Sequence, residues 1–238
     1  MKGFIDVITN KGESGKVTEK ELKLGEKIGG GVESEVFKSS WLGTDVAVKY
    51  FRYAEQSGNQ TASSIVDSSP NLKSFCNEVA IMMSLRHKNI ITLMGFGVSS
   101  PTQFIVMEYM PRGSLFDILG TKEEINAERK WQLVNDVVQG LLYLHCGNPV
   151  ILHQDMKSLN LLVDQDWTVK ISDFGIAREL RKKPKFLPQD QADDSVESAG
   201  HGGTLQWMAP ECLEEEAEPT KAMDIYALGY AYDSLLMK

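Results

Sequence analysis

Three consecutive glycines, Gly29, Gly30 and Gly31, open a stretch that continues Val32-Glu33-Ser34-Glu35-Val36. It fits the pattern G-x-G-x-x-G-x-V except that Ser34 stands in the last glycine place. Glycines let a backbone approach phosphate oxygens with no side chain in the way. A plain hairpin turn would use them equally well. A dinucleotide-binding fold opens a helix at this point, whereas Val36, Phe37 and Trp41 open a strand, so the turn is a flap between two strands. The alternating run Asp45-Val46-Ala47-Val48-Lys49 then puts Lys49 on the strand face of Ala47. A strand-end lysine is ordinarily solvated. Its chemical reading is a cation aimed at phosphates beneath the flap. Such a cation needs a carboxylate to fix it. Glu78, beside the apolar positions of a helical stripe, is the candidate, although a helical glutamate is ordinarily a surface residue.

Further along, Ile151-Leu152-His153-Gln154-Asp155-Met156-Lys157-Ser158-Leu159-Asn160 gathers a carboxylate, an ammonium and an amide in one short segment. Asp173-Phe174-Gly175 follows the strand-like Val169-Lys170-Ile171, and Gly203-Thr204 precedes Met208-Ala209-Pro210-Glu211. Each piece alone is compatible with chance; their order and spacing together are not. One other phosphate signature fails. Gly12-Glu13-Ser14-Gly15-Lys16 resembles a P-loop, but Asn10 stands at its first glycine and Val17 where Ser or Thr must bind magnesium.

The elements that must carry these residues are legible from periodicity. Leu22, Leu24 and Ile28 lead into the glycine turn, and a second turn at Leu42-Gly43-Thr44 joins two further strands, an antiparallel meander. Residues 54–70 are rich in Ser, Gly, Gln and Asn and read as a surface loop. Phe75, Val79, Met82 and Arg86 follow a helical stripe, and 90–97 and 103–107 read as strands. Trp131, Val134, Val137, Val138, Leu141, Leu142 and Leu144 repeat at helical spacing, with Gly147 and Pro149 as the stop. Short strands are expected at 161–163 and 168–171, a long polar segment at 178–203, and an apolar helix from Ala222 to Leu236. Residues 1–23 read as a mobile polar leader.

The 238 residues suffice to bury a core without disulfide or metal. Lys and Arg number 25 against 33 Asp and Glu, a net charge of −8, so general nucleic-acid binding and membrane-surface binding are disfavoured. Cys76, Cys146 and Cys212 are far apart with no CxxC pair, which argues for reduced thiols in a cytoplasmic protein and against a zinc site. The first residues lack the apolar core of a signal peptide, and no stretch is long enough to insert in a membrane.

In its motifs the chain resembles the eukaryotic protein kinases. The phrases Trp41 to Lys49, Leu85-Arg86-His87-Lys88-Asn89-Ile90 and Leu205-Gln206-Trp207-Met208-Ala209-Pro210-Glu211 are similar to the tyrosine-kinase-like group, which includes Raf and the mixed-lineage kinases. The resemblance implies an α+β, two-lobed fold: a small antiparallel-sheet lobe with one helix over 24–107, and a mainly helical lobe over 108–238 that lacks its last helices. It implies ATP and Mg2+ as cofactors, a protein substrate, and transfer of the γ-phosphate to a Ser or Thr hydroxyl. Gly29, Gly30, Gly31 and Ser34 would cover the phosphates, with Ile28, Val36, Ala47 and Leu162 among the nucleotide-binding positions. Lys49, paired with Glu78, would hold the α- and β-phosphates. Met107 would be the gatekeeper, and Glu108 and Met110 would offer backbone groups to adenine. Asp173 and Asn160 would bind magnesium, Asp155 would accept the hydroxyl proton, and Lys157 would neutralise the transferred group. His153, Phe174 and Met82 would belong to a packed spine. Lys157 and Thr204 favour Ser or Thr over Tyr as acceptor.

The sequence also departs from that family. Ser34 replaces a glycine, which is expected to weaken ATP binding. Gln154 replaces an arginine that would pair with a phosphorylated loop, and a neutral amide cannot make that charge-assisted contact. Phosphorylation at Ser195 or Ser198 is therefore not expected to be the main switch. The chain stops soon after Ala222, which leaves Glu211 without the arginine that pairs with it in the family. A further segment or a partner is expected to cover the 222–238 helix. An ATP-binding pseudokinase or scaffold is the alternative function; a small-molecule kinase is disfavoured by the Gly203 to Glu211 segment.

Overall fold

The computed structural model describes residues 15–31, 34–51, 70–99, 102–180, 204–213 and 217–236. The first half builds β1 (Leu22–Gly30), β2 (Ser34–Trp41), β3 (Thr44–Phe51), helix α1 (Pro70–Ser84), β4 (Leu93–Ser99) and β5 (Thr102–Glu108). They form one antiparallel sheet in the order β1-β2-β3-β5-β4. Leu42 and Gly43 turn β2 into β3 with φ of 51° and 82°. That is the two-residue hairpin geometry that matches strand twist.

Strand alternation decides which side chains meet α1. Val46, Val48, Phe104 and Val106 pack on the outer face, while Phe51, Ile105 and Met107 point to the inner core with Phe75, Val79 and Met82 of α1. Lys49 shares the inner parity, so the strand itself aims its ammonium toward the helix. The outer face is not left wet. Val17, 3% exposed, closes it together with Leu22, and Val17 N–H donates to Phe96 O at 2.9 Å. The expected mobile leader is therefore corrected for residues 15–23: Lys23 belongs to β1, and the apolar side chains of Val17 and Leu22 finish a core that the sheet cannot finish alone. The remainder of that leader, the loop 54–69, and the charge runs of 181–203 with Ser195 and Ser198 lie outside the described residues.

The second half holds α2 (Leu115–Gly120), α3 (Ala127–Cys146), β6 (Val150–Leu152), β7 (Leu161–Val163), β8 (Val169–Ile171), β9 (Arg178–Leu180) and α4 (Lys221–Leu236). Asn126 caps α3 by accepting Arg129 N–H at 2.8 Å. Leu133, Val137, Leu141 and Leu144 form the buried stripe of α3. Trp131, Val138 and Leu142, expected in the same apolar set, stand on the outer side, and Trp131 is 71% exposed. The apolar arc was wider than the face that packs. Gly140 lets α3 pass the loop before β4, since a Cβ there would meet Asn89 O at 2.8 Å. Helix α4 lies against α3, with Tyr232 Oη donating to Val134 O at 2.8 Å and Lys221 Nζ to His145 O at 2.6 Å. Its outer row, Ile225, Tyr226 and Tyr230, is exposed. One hydrophobic cluster runs from Phe51 and Phe75 through Phe174 to Leu235, so the two lobes share a core. No helix among the described residues is long and apolar enough to cross a membrane.

Candidate active site

Lys49, Glu78 and Asp173 meet where the lobes join. Lys49 Nζ lies 2.8 Å and 3.0 Å from the two Glu78 carboxylate oxygens and 2.8 Å from Asp173 Oδ1. Glu78 is fully buried. Burial alone would push the Lys49 ammonium down, yet the two carboxylates outweigh it and hold Lys49 above its ordinary value. Two anions share one cation here, and the more buried one bears the consequence. Burial raises the Glu78 carboxyl above its usual range, with Lys49 opposing. Burial pushes Asp173 the same way, but Lys49 prevails and Asp173 ends below its ordinary value. Asp173 also has φ of 65°, a left-handed backbone that a non-glycine residue keeps only when its surroundings enforce it.

A second cluster centres on Asp155. Its Oδ2 accepts from Lys157 Nζ at 2.5 Å and Asn160 Nδ2 at 2.9 Å, and its Oδ1 from Thr204 Oγ1 at 3.2 Å. Thr204 Oγ1 in turn accepts from Lys157 Nζ at 2.8 Å. Sequence reasoning used Thr204 only as a mark of acceptor type; here it touches both Lys157 and Asp155. His153 is buried, stacks edge-on against Phe174 at 5.1 Å, and places Nε2 2.9 Å from Ser172 O. Its Nδ1 accepts Asp155 N–H at 3.3 Å, so the Nε2–H tautomer fits both partners. Met82 and Phe174 lie in the same core cluster.

Asp224 of α4 was missed, and it holds this loop from beneath. Its carboxylate, 1% exposed, accepts Gln154 N–H at 2.7 Å and His153 N–H at 2.9 Å, and lies 2.8 Å from His145 Nε2. A lone carboxylate inside the apolar run Met223 to Leu228 was the available signal. Gln154 has φ of 66°, and its buried Oε1 finds no partner among the described residues.

The flap is the β1–β2 hairpin, in which Gly31 N–H donates to Ser34 O at 2.9 Å. Gly30 is required by its own fold: φ is +145° and a Cβ would sit 2.8 Å from Ser34 O. Gly31 is not, since a Cβ there would meet nothing within 4 Å among the described residues. Its lack of a side chain leaves room for something outside the hairpin. The tip, Val32 and Glu33, lies outside the described residues. Ile28 is exposed, Val36 and Leu162 are half-buried, and Ala47, Met107 and Met110 are buried. Glu108 joins the lobes: its carboxylate accepts from Lys170 Nζ at 2.8 Å and 2.9 Å and from Thr92 N–H at 2.7 Å. This contact, too, was not foreseen. The structure thus brings Lys49, Glu78 and Asp173 into one cluster and Asp155, Lys157 and Asn160 into another, with the flap glycines on the sheet.

A five-stranded antiparallel sheet with one helix, whose lysine–glutamate pair meets an aspartate of a mainly helical lobe, has the architecture of a protein kinase domain. Comparison with known proteins agrees. The family model described as protein kinase domain matches residues 22–238. Serine/threonine-protein kinase CTR1 of Arabidopsis thaliana is 40% identical over 212 residues, covering 88% of this chain and 23% of that protein. Probable serine/threonine-protein kinase SIS8 of Arabidopsis thaliana is 38% identical over 210 residues, covering 88% of this chain and 18% of its own length. Probable serine/threonine-protein kinase drkB of Dictyostelium discoideum is 37% identical over 213 residues, covering 88% and 27%. The chain belongs to the protein kinase domain family, as its motifs led us to expect. It spans about a fifth of the length of the first two relatives.

Proposed function

We propose that this chain is the catalytic domain of a protein serine/threonine kinase, transferring the γ-phosphoryl group of ATP to a protein hydroxyl. The observation that carries the reading is that all five polar groups the chemistry needs, Lys49, Glu78, Asp155, Asn160 and Asp173, stand within bonding distance of their partners. Among the described residues no three His, Cys, Asp or Glu side chains converge as a metal cage. Magnesium does not require one, because it is held by one or two side-chain oxygens together with phosphate oxygens. Asp173 and Asn160 fit that role. Magnesium bound there would neutralise charge on the phosphates.

The residues divide the remaining work. Lys49, fixed by Glu78, presents its charge to the phosphates, and the flap at Gly29 to Gly31 lets backbone lie close above them with no side chain in the way. Asp155 Oδ2 is committed to Lys157 and Asn160. Oδ1, bonded among the described residues to the Thr204 hydroxyl alone, is the atom left to take the acceptor's proton. The acceptor oxygen bonds to the γ-phosphorus as the bond to the bridging oxygen breaks, and that electron pair leaves with ADP. Lys157, between Asp155 and Thr204, compensates charge on the moving group. A neutral Gln154 supports control that does not depend on a phosphorylated loop. The free cysteines support a cytoplasmic setting. The exposed row on α4 supports a further segment or partner over that face. A pseudokinase is the second reading, favoured by Ser34 in the flap. Incubation with Mg·ATP and a general protein substrate, with acceptors located by mass spectrometry, separates them. Phosphoserine or phosphothreonine is expected; ATP binding without transfer, or phosphotyrosine alone, would overturn the proposal.

A further inference from the structure

Asn77 precedes Glu78 on α1 and has no part in the scheme above. Its Nδ2 lies 2.9 Å from Ala177 O, 3.2 Å from Gly175 O and 3.5 Å from Phe174 O. Three backbone carbonyls of the chain just after Asp173 therefore converge on one nitrogen. Converging carbonyls repel one another, and a donor in the hollow relieves that repulsion; Phe174 O also accepts Ala177 N–H at 3.1 Å, while Asn77 is the side-chain donor to Gly175 O and Ala177 O. The neighbouring residue supplies the complementary group: the Glu78 carboxylate takes the Phe174 N–H. Two consecutive residues of α1 thus hold the 173–177 segment, one through its carbonyls and one through its amide. The fit is close, since a Cβ on Gly175 would stand 3.1 Å from Ser74 Oγ and 3.6 Å from Glu78 Oε2.

The chemistry at position 77 is restricted. A Lys or Arg there would be drawn to Glu78 and Asp173 and would compete with Lys49. An Asp would turn like partial charge on three carbonyls, and an apolar residue would take the side-chain donor away from Gly175 O and Ala177 O. A neutral amide donates without disturbing the charges beside it. Asp173 needs such support, because its φ of 65° must be imposed from outside.

We infer that Asn77 is a positioning residue that fastens the Asp173 segment to α1, so that Asp173 holds its place only while α1 keeps Glu78 against Lys49. A shift of α1 would then carry off the lysine's partner and the magnesium-binding carboxylate in one movement. The link to magnesium rests on the kinase reading; the fastening does not.

The test is Asn77→Leu, which keeps the branching at Cγ and removes the donor, beside the smaller Asn77→Ala. Hydrogen exchange is followed first on the nucleotide-free protein. In both variants the amides of residues 174–177 should exchange at least about tenfold faster while those of α3 stay unchanged. In the transfer assay kcat should fall at least about tenfold and half-maximal rate should need more Mg2+, with KM for the protein substrate little altered. Wild-type exchange at 174–177 in Asn77→Leu would overturn the inference and make the residue mere filler. Equal acceleration throughout the protein would overturn it as well. Should the wild type transfer no phosphate, the kinase reading fails by itself, and the exchange result still decides the role of Asn77.

Discussion

Asp224→Asn changes one atom under the loop that carries Asp155. The native carboxylate accepts two backbone N–H groups, from Gln154 at 2.7 Å and His153 at 2.9 Å, and faces His145 Nε2 at 2.8 Å. At 1% exposure no water can take over these bonds. An amide keeps one oxygen as acceptor and turns the other position into a donor. At least one buried N–H then points at another donor, and the surviving bond loses its charge assistance. An unsatisfied buried donor costs ~1–3 kcal/mol, and a hydrogen bond to a charged group contributes ~1.5–3 kcal/mol, which together give about 2.5–6 kcal/mol. In a chain of this size about 1 kcal/mol moves Tm by 2–4 °C, so the melt should fall by roughly 10 °C. Displacing Asp155 by a fraction of an ångström should also lower kcat by at least about tenfold. Differential scanning calorimetry and a steady-state transfer assay read both effects. A variant that melts within about 2 °C of the wild type and turns over at its rate would refute the idea that the loop hangs on Asp224.

Three further outcomes are expected. Gly30→Ala should lose about 1–3 kcal/mol from strain and the contact with Ser34 O, whereas Gly31→Ala should melt like the wild type and raise KM for ATP; melting curves and ATP titrations check both. The folded-state carboxyl of Glu78 lies above the ordinary 4.5, so its contribution is fully present below 4.5 and is lost as pH rises through the folded value. Glu78→Gln stays neutral, so Tm of the wild type minus Tm of the variant should shrink from pH 4.5 toward neutrality; a gap that widens would contradict the sign. Iodoacetamide should modify exposed Cys146 before half-buried Cys76, whose thiol burial pushes above 9.0; peptide mapping over time gives the order.

The fold and its clusters were legible where a local period or a motif reached them. Alternation along 45–49 put Lys49 on an inner face, and the stripe of Phe75, Val79 and Met82 turned Glu78 toward it. That Lys49 needs a carboxylate, with Glu78 as the candidate, came from their chemistry; that the two meet came from resemblance, since spacing alone cannot say that residues far apart in the chain touch. The same limit hid Asp224, whose partners are a loop some seventy residues earlier, and Asn77, whose partners lie about a hundred residues later. It hid the Glu108–Lys170 contact too. Val17 was overlooked for a different reason. One apolar residue in a polar stretch leaves no periodic mark, yet it completes the outer face of a sheet. Trp131 shows the opposite error, an apolar residue in phase with a helix but off its buried face.

The most direct trial of the account compares the wild type with Asp155→Asn in the Mg·ATP transfer assay, with Mg·ATP affinity measured on the same samples. Asparagine keeps the shape at Asp155 and leaves Lys49 and Asp173 untouched. A positioned proton acceptor contributes roughly 10²–10⁴-fold to rate, so transfer to Ser or Thr should fall by about that factor while affinity holds. Equal transfer by the two proteins would contradict the assignment of Asp155 and the mechanism built on it.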